Sequence, residues 1–244
     1  MIRLIFVALF LVIFLILSIP VFLIEWLIGK VNPHARDISS LRIVQGAFYV
    51  IAFLSGCHVT VKGMENVPKD EAVLYIGNHR SYFDVVLTYA RCPGLTSYMA
   101  KKEVARVPLL STWMRFLHCL FLDRKDIKQG LKTILAAIDL IKKGISVCIF
   151  PEGTRSTGPE QTELLPFHEG SFKVATKTDC LIVPMAITNT SRIFEDHIPF
   201  IRSTDVVIEY GKPFRPSELT KEQKKGIGGY TRGIIQEMVQ KNLQ

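Results

Sequence analysis

The sequence predicts an α/β fold: a mixed, partly parallel sheet covered by helices, preceded by an N-terminal membrane-embedded helical segment. Three observations carry this. The first is an apolar run from Leu4 to Ile24, broken only by Ala8, Ser18 and Pro20. The second is a set of short, almost wholly apolar β-rich runs further on, the pattern of strands buried on both faces. The third is an amphipathic helical stretch standing between two of those runs, the order expected where helices cross over between parallel strands.

The 21 residues of the first run reach about 31 Å as a helix, the thickness of a bilayer's hydrocarbon core. A secretory leader is the competing reading. Only Arg3 forms a basic end, however, the apolar run is long, and no small-x-small cleavage site follows, so the segment is expected to stay in the chain. A second apolar stretch, Ile43 to Leu54, follows a link with Lys30, His34, Arg36 and Arg42. If that first segment spans, the basic residues concentrated after it put the remainder of the chain on the cytoplasmic side. Whether the pair spans the membrane or dips into one leaflet stays open at this point. The expected division is a membrane-associated helical segment, residues 1–57, and an α/β domain, residues 58–244.

Within that domain, Val73 to Gly77, Ile145 to Phe150, Leu181 to Ile187 and Val206 to Tyr210 are the expected strands. Ile127, Leu131, Ile134, Leu135, Ile138 and Ile141 fall on one helical face, with Gly144 where a C-terminal cap belongs. Thr220 and Gln223 have the spacing of a capping box opening a last helix that ends near Leu243, weakened by Gly226, Gly228, Gly229 and Gly233.

Composition narrows the function classes. Thirty Lys and Arg against 22 Asp and Glu give a net charge of +8, which favours anionic partners. A mean hydropathy of +0.26 is high for a nucleic-acid binder and points to phospholipid instead, so no nucleic-acid partner is expected. Five cysteines lie far apart with no CxxC pair and no zinc spacing, so they read as reduced and structural.

In open α/β sheets ligands gather where strands end, which directs attention to two polar clusters. Asn78-His79-Arg80-Ser81-Tyr82-Phe83-Asp84 follows the first strand, and Pro151-Glu152-Gly153-Thr154-Arg155-Ser156 follows the second. His79 and Asp84 suit a general base and its orienting carboxylate, provided a turn brings them together. The same Ser81-x-x-Asp84 spacing is also a capping box, a structural reason for the carboxylate. His118 and Asp123 repeat the His-x4-Asp spacing inside an apolar run that reads as core, so spacing alone does not decide. In the second cluster Pro151 and Gly153 fit a type I turn, and Arg155 offers a planar fork for phosphate oxygens. Arg124 and the Lys101-Lys102 pair are further candidates for the same pocket. No His, Asp or Glu completes a metal set around His79 and Asp84, so no metal is expected.

Taken in order, these segments resemble the glycerolipid acyltransferase family, in particular its 1-acylglycerol-3-phosphate (lysophosphatidic acid) acyltransferases. NHRSYFD (78–84) resembles the first family block, FLDR (121–124) the second with Leu122 where Ile is more usual, FPEGTRS (150–156) the third in full, and VPMAI (183–187) the proline-containing fourth. AKKEV (100–104) falls where members carry a lysine-containing segment. The resemblance covers about residues 63–215. It implies that His79 is the general base and Asp84 its orienter. Lys101, Arg124, Glu152, Gly153, Thr154 and Arg155 are then the set that holds the acceptor's glycerol phosphate. It also implies acyl transfer from acyl-CoA or acyl-acyl carrier protein to the sn-2 hydroxyl of lysophosphatidic acid, with no bound cofactor. Membrane lipids, and acyl carrier protein if it is the donor, are the implied partners. Glycerol 3-phosphate or another lysophospholipid as acceptor, and a non-catalytic phosphatidate-binding protein, are the alternatives.

Overall fold

The computed structural model describes residues 1–123 and 126–244. Two long helices, α1 (Ile2–Val31) and α2 (Pro33–Ser55), open the chain as an antiparallel hairpin. Asn32 makes the turn, its side chain accepting from the Ala35 N–H while Pro33 takes the first helical position, where a missing N–H costs nothing. Both helices are long and apolar enough to cross a membrane.

The strands follow as β1 (Cys57–Lys62), β2 (Leu74–Gly77), β3 (Thr96–Lys101), β4 (Leu120–Leu122), β5 (Ser146–Ile149), β6 (Ile182–Thr188) and β7 (Thr204–Tyr210). Among the described residues they form one sheet in the order β1-β7-β6-β2-β5-β3-β4, parallel at every pairing except the antiparallel β6–β7. The helices between them are α3 (Tyr82–Tyr89), α4 (Leu110–Phe116), α5 (Ile127–Lys142) and α6 (Lys173–Thr178), and α7 (Lys221–Lys225) and α8 (Ile227–Leu243) close the chain.

The sheet has a core on each face, because side chains alternate along every strand. Tyr75, Cys148 and Val183 face the hairpin, where they join Leu41, Val44 and Ile51. Leu74, Ile76, Val147, Ile149 and Ile182 face the other way, onto Ala137 of α5, Val174 of α6 and Ile235 and Val239 of α8. The central strands are therefore apolar on both sides.

The hairpin lies along the sheet layer rather than projecting from it. Trp113 of α4 packs its ring against Phe14 and Phe22, and its Nε1 donates to Ser18 Oγ at 2.8 Å, midway along α1. Gln45 of α2 donates to the carbonyls of Tyr89 and Cys92. At the turn end, His118 Nε2 lies 2.6 Å from Asp37 Oδ2. Glu25, buried between the helices, accepts from the Ser39 and Ser40 hydroxyls. The outer side of α1 leaves Ile5, Phe6, Leu9, Val12, Ile16 and Leu23 all more than half exposed.

Several expectations change in detail. Leu131 and Leu135 stand exposed on α5 instead of in the core, and the buried face runs through Thr133, Ala137, Leu140 and Ile141. The last helix starts at the expected capping box, Thr220 with Gln223, but breaks at Gly226 into α7 and α8. His118 does not pair with Asp123, which instead meets Lys102. A left-handed backbone at His118 (φ 56°) turns the chain between α4 and β4 and sends the ring to the hairpin.

Candidate active site

The site forms where β2, β5 and β6 end together. Past Gly77 the side chain of Asn78 takes over the pairing with β6: its amide donates to the Ile187 carbonyl and accepts from the Ile187 N–H, both at 2.8 Å. The chain then turns, and Ser81 caps α3 by accepting from the Phe83 N–H. That turn brings His79 onto Asp84, with Nδ1 2.8 Å from Oδ2.

Asp84 is fully buried, and its carboxylate has two tasks at once. Oδ2 accepts from the Arg80 N–H (2.7 Å) and the Ser81 N–H (2.8 Å) as well as from His79, while Oδ1 accepts from the Thr190 hydroxyl. The capping and pairing readings of the sequence are both realised by one group. A carboxylate accepts and does not donate, so Nδ1 carries the hydrogen and a neutral His79 ring presents Nε2 as its lone-pair nitrogen. Among the described residues Nε2 has no hydrogen-bond partner. The ring is fixed by stacking on Phe150, with centroids 4.4 Å apart.

The second cluster is fastened to the first through the backbone of His79. The His79 N–H donates to Glu152 Oε1 (2.7 Å), and its carbonyl accepts from the Ser156 N–H (2.8 Å). Phe150 to Gly153 form the expected turn, closed by the Gly153 N–H on the Phe150 carbonyl. Gly153 has φ +71°, and a Cβ there would lie 3.1 Å from the His168 ring, so this position disfavours any side chain. Arg80 strengthens the link by donating to Ser156 Oγ and to the carbonyls of Gly158 and Glu160.

Glu152 is 4% exposed, and both its oxygens serve backbone N–H groups, of His79 and Leu165. The structure thus gives it a bracing contact rather than an open face. Burial pushes its carboxyl above the ordinary carboxylate range, against the pull of those two N–H groups. A raised carboxyl binds its proton more tightly in the folded state, so wild type loses stability as pH rises from the ordinary carboxylate range through the raised value. Glu152→Gln lacks that titration. The melting temperature of wild type minus that of Glu152→Gln should therefore fall as pH rises through that window, and a difference constant with pH would contradict it.

Arg155 lies over the Tyr82 ring, 3.8 Å from its centroid, and Nη1 donates to Glu195 Oε1 at 2.9 Å. Thr154 lines a cavity of about 700 Å³ together with Met99, Leu122, Leu131, Ile134, Ile149 and Phe150. It is a half-open groove whose lining also includes Asp123, Asp126, Glu152, His168 and Lys173. The cavity also accounts for the exposure of Leu131. Lys101 stands exposed at the C-terminal end of β3, and Arg124 lies outside the described residues.

Sequence reasoning missed Thr190, Glu195 and the stacking role of Phe150. The first two lie in the polar loop after β6, and the strand-end rule that singled out the other two loops applies equally there. The five cysteines are free, and burial holds their thiols above the ordinary range, to about 11 for Cys92 and Cys119 and about 12 for Cys57. A thiol so raised is a poor nucleophile.

An acyltransferase family profile matches residues 58–188, the span holding both clusters. The chain is 28% identical over 208 residues to the 1-acyl-sn-glycerol-3-phosphate acyltransferase of Borreliella burgdorferi, covering 84% of this chain and 79% of that one. It is 30% identical over 236 residues to the probable 1-acyl-sn-glycerol-3-phosphate acyltransferase of Mycoplasma pneumoniae, covering 87% and 86%. The crystal structure of the 1-acyl-sn-glycerophosphate acyltransferase from Thermotoga maritima has the same fold, with a TM-score of 0.70 at 23% identity over 93% of this chain and 96% of that one. The matched span runs through both polar clusters and the strands that carry them, and this chain belongs to the acyltransferase family, as a relative of the 1-acyl-sn-glycerol-3-phosphate acyltransferases.

Proposed function

We propose that this acyltransferase moves a fatty acyl group from a thioester, acyl-CoA or acyl-acyl carrier protein, to the sn-2 hydroxyl of a lysophosphatidic acid, giving phosphatidic acid. The observation that carries this reading is the oriented pair: His79 Nδ1 held by a buried carboxylate, with Nε2 left to a substrate. Nε2 takes the proton from the acceptor hydroxyl as its oxygen attacks the thioester carbon. Collapse of the tetrahedral adduct breaks the carbon–sulfur bond, and the proton passes from His79 to the departing sulfur. Asp84 holds the tautomer and stabilises the transient imidazolium. Transfer is direct, without an acyl-enzyme and without a bound cofactor.

Arg155, in the segment that Ser156 ties to the His79 carbonyl, supplies the fork for the acceptor's phosphate, with Lys101 and Arg124 adding positive charge. Gly153 and Thr154 complete the phosphate-side loop, and Glu152 holds the His79 backbone. The cavity beside Thr154 and Phe150 takes part of the donor. The exposed apolar side of α1 is larger than a water-facing surface tolerates and rests in lipid. Because the hairpin is bound to the sheet layer along its length, it lies in one leaflet, and the net positive charge favours the anionic cytoplasmic surface as the one that the catalytic part, residues 58–244, faces.

Thiol release by detergent-purified protein, measured with each donor against lysophosphatidic acid or glycerol 3-phosphate, tests this. Release that depends on lysophosphatidic acid is expected with at least one donor. Dependence on glycerol 3-phosphate alone, or no acceptor-dependent release from folded protein, contradicts it.

A further inference from the structure

Glu195 belongs to a short 3-10 turn, Glu195–His197, in the loop after β6, and no motif of the sequence marks it. Its carboxylate nevertheless joins three parts of the site. Oε1 accepts from Arg155 Nη1 (2.9 Å) and from the Tyr82 N–H (2.8 Å), and Oε2 accepts from the Ser81 hydroxyl (2.6 Å). Ser81 and Tyr82 form the N-terminus of α3, the helix that carries Asp84. The Glu195 side chain is 15% exposed and that of Arg155 is 32% exposed, so the pair is shielded on one side and open on the other.

We propose that Glu195 is a positioning residue that holds Arg155 in place for the acceptor's phosphate and fixes it to the α3 N-terminus, setting the distance between phosphate and His79. The inference rests on the phosphate-binding role proposed above for Arg155. Arginine has five donors in a rigid fork. Glu195 takes only Nη1, and Nε and Nη2 have no hydrogen-bond partner among the described residues. The Tyr82 ring supports the guanidinium from one face. A long side chain held by both its face and one edge no longer has to be ordered when substrate arrives. Because Glu195 grips Ser81 and Tyr82 with the same two oxygens, Arg155 and the dyad share one frame, and a glycerol phosphate on the fork carries its sn-2 hydroxyl to a fixed place relative to Nε2.

The test measures kcat and KM for lysophosphatidic acid, with melting temperature in detergent, for Glu195→Ala, Glu195→Gln, Arg155→Ala and the double variant Glu195→Ala/Arg155→Ala. Glu195→Gln keeps a side chain of the same shape against α3 while removing the charge, so it reads the Arg155 contact even if the alanine variant folds poorly. Glu195→Ala is expected to raise KM about tenfold and to lower kcat several-fold, because a loose fork both binds and places the acceptor less well, and Glu195→Gln, which keeps one acceptor oxygen for Arg155, is expected to shift both the same way by less. The double variant is expected to be no worse than Arg155→Ala, since the two residues act through one contact. A lowered KM would make Glu195 a competitor of phosphate and overturn the proposal. So would full additivity in the double variant, or an unchanged KM in both Glu195 variants. If Arg155→Ala leaves KM unaltered, the phosphate role of Arg155 fails and this inference with it. Absence of lysophosphatidic acid-dependent transfer by wild type is a different failure, that of the proposed reaction.

Discussion

Asp84→Asn is expected to reduce kcat about 10³–10⁴-fold, the scale on which an orienting carboxylate acts in a Ser-His-Asp arrangement. The amide is nearly isosteric. Its oxygen can face the N–H groups of Arg80 and Ser81, and its NH₂ can face the Thr190 hydroxyl, which accepts as well as donates. The fold therefore survives with a loss of about 1–3 kcal/mol, the cost of exchanging charged hydrogen bonds for neutral ones in a dry site. The chemistry does not survive, because no negative charge remains beside the imidazolium that forms as the hydroxyl loses its proton. Asp84→Ala would leave the same N–H groups without a partner and should melt markedly lower than Asp84→Asn. Steady-state rates and melting curves for the two variants check both statements, and an asparagine variant with near-wild-type kcat would remove Asp84 from the mechanism.

His79→Ala is expected to lower kcat about 10²–10⁴-fold, the usual contribution of a positioned general base. Its structural effect should be smaller than that of the Asp84 variants. The contacts that tie the two polar loops together run through the His79 backbone, to Glu152 and Ser156, and alanine keeps them. What is lost is the stack on Phe150 and one of the hydrogen bonds to Asp84. KM for the acceptor should change little, since the proposed phosphate contacts lie on other residues. A variant with intact kcat and raised KM would make His79 a binding group instead.

The sequence made the central sheet legible because β2, β5 and β6 are buried on both faces and so read as unbroken apolar runs. Strand β1 is an edge strand with alternating exposure and a polar composition, CHVTVK, and β3 mixes Thr, Ser and Lys with its apolar residues. Neither has the apolar continuity that marked the others. Strand β4 has three residues and merged with α4 into one apolar stretch, and the division between them is a left-handed residue, His118, that nothing in composition announces. Helical periodicity groups Leu131 with the core-facing residues of α5, whereas it stands exposed and lines the groove beside Thr154, and periodicity does not distinguish the two. At the site, His79, Asp84 and the 150–156 turn were legible because each is local in sequence. Thr190 lies 106 residues from Asp84, and Glu195 lies 114 residues from Ser81 and 40 from Arg155, and only the sheet topology brings them there.

The proposed mechanism makes His79 the base in direct acyl transfer to lysophosphatidic acid. Its most direct test follows phosphatidic acid formation from lysophosphatidic acid and one acyl thioester, for wild type and His79→Ala matched in fold by melting curve. Wild type should release one thiol for each phosphatidic acid formed, with the acyl group on sn-2, and the variant should form product at least about a hundredfold more slowly. Equal rates from the two proteins, or a wild type that releases thiol without forming phosphatidic acid, would rule this mechanism out.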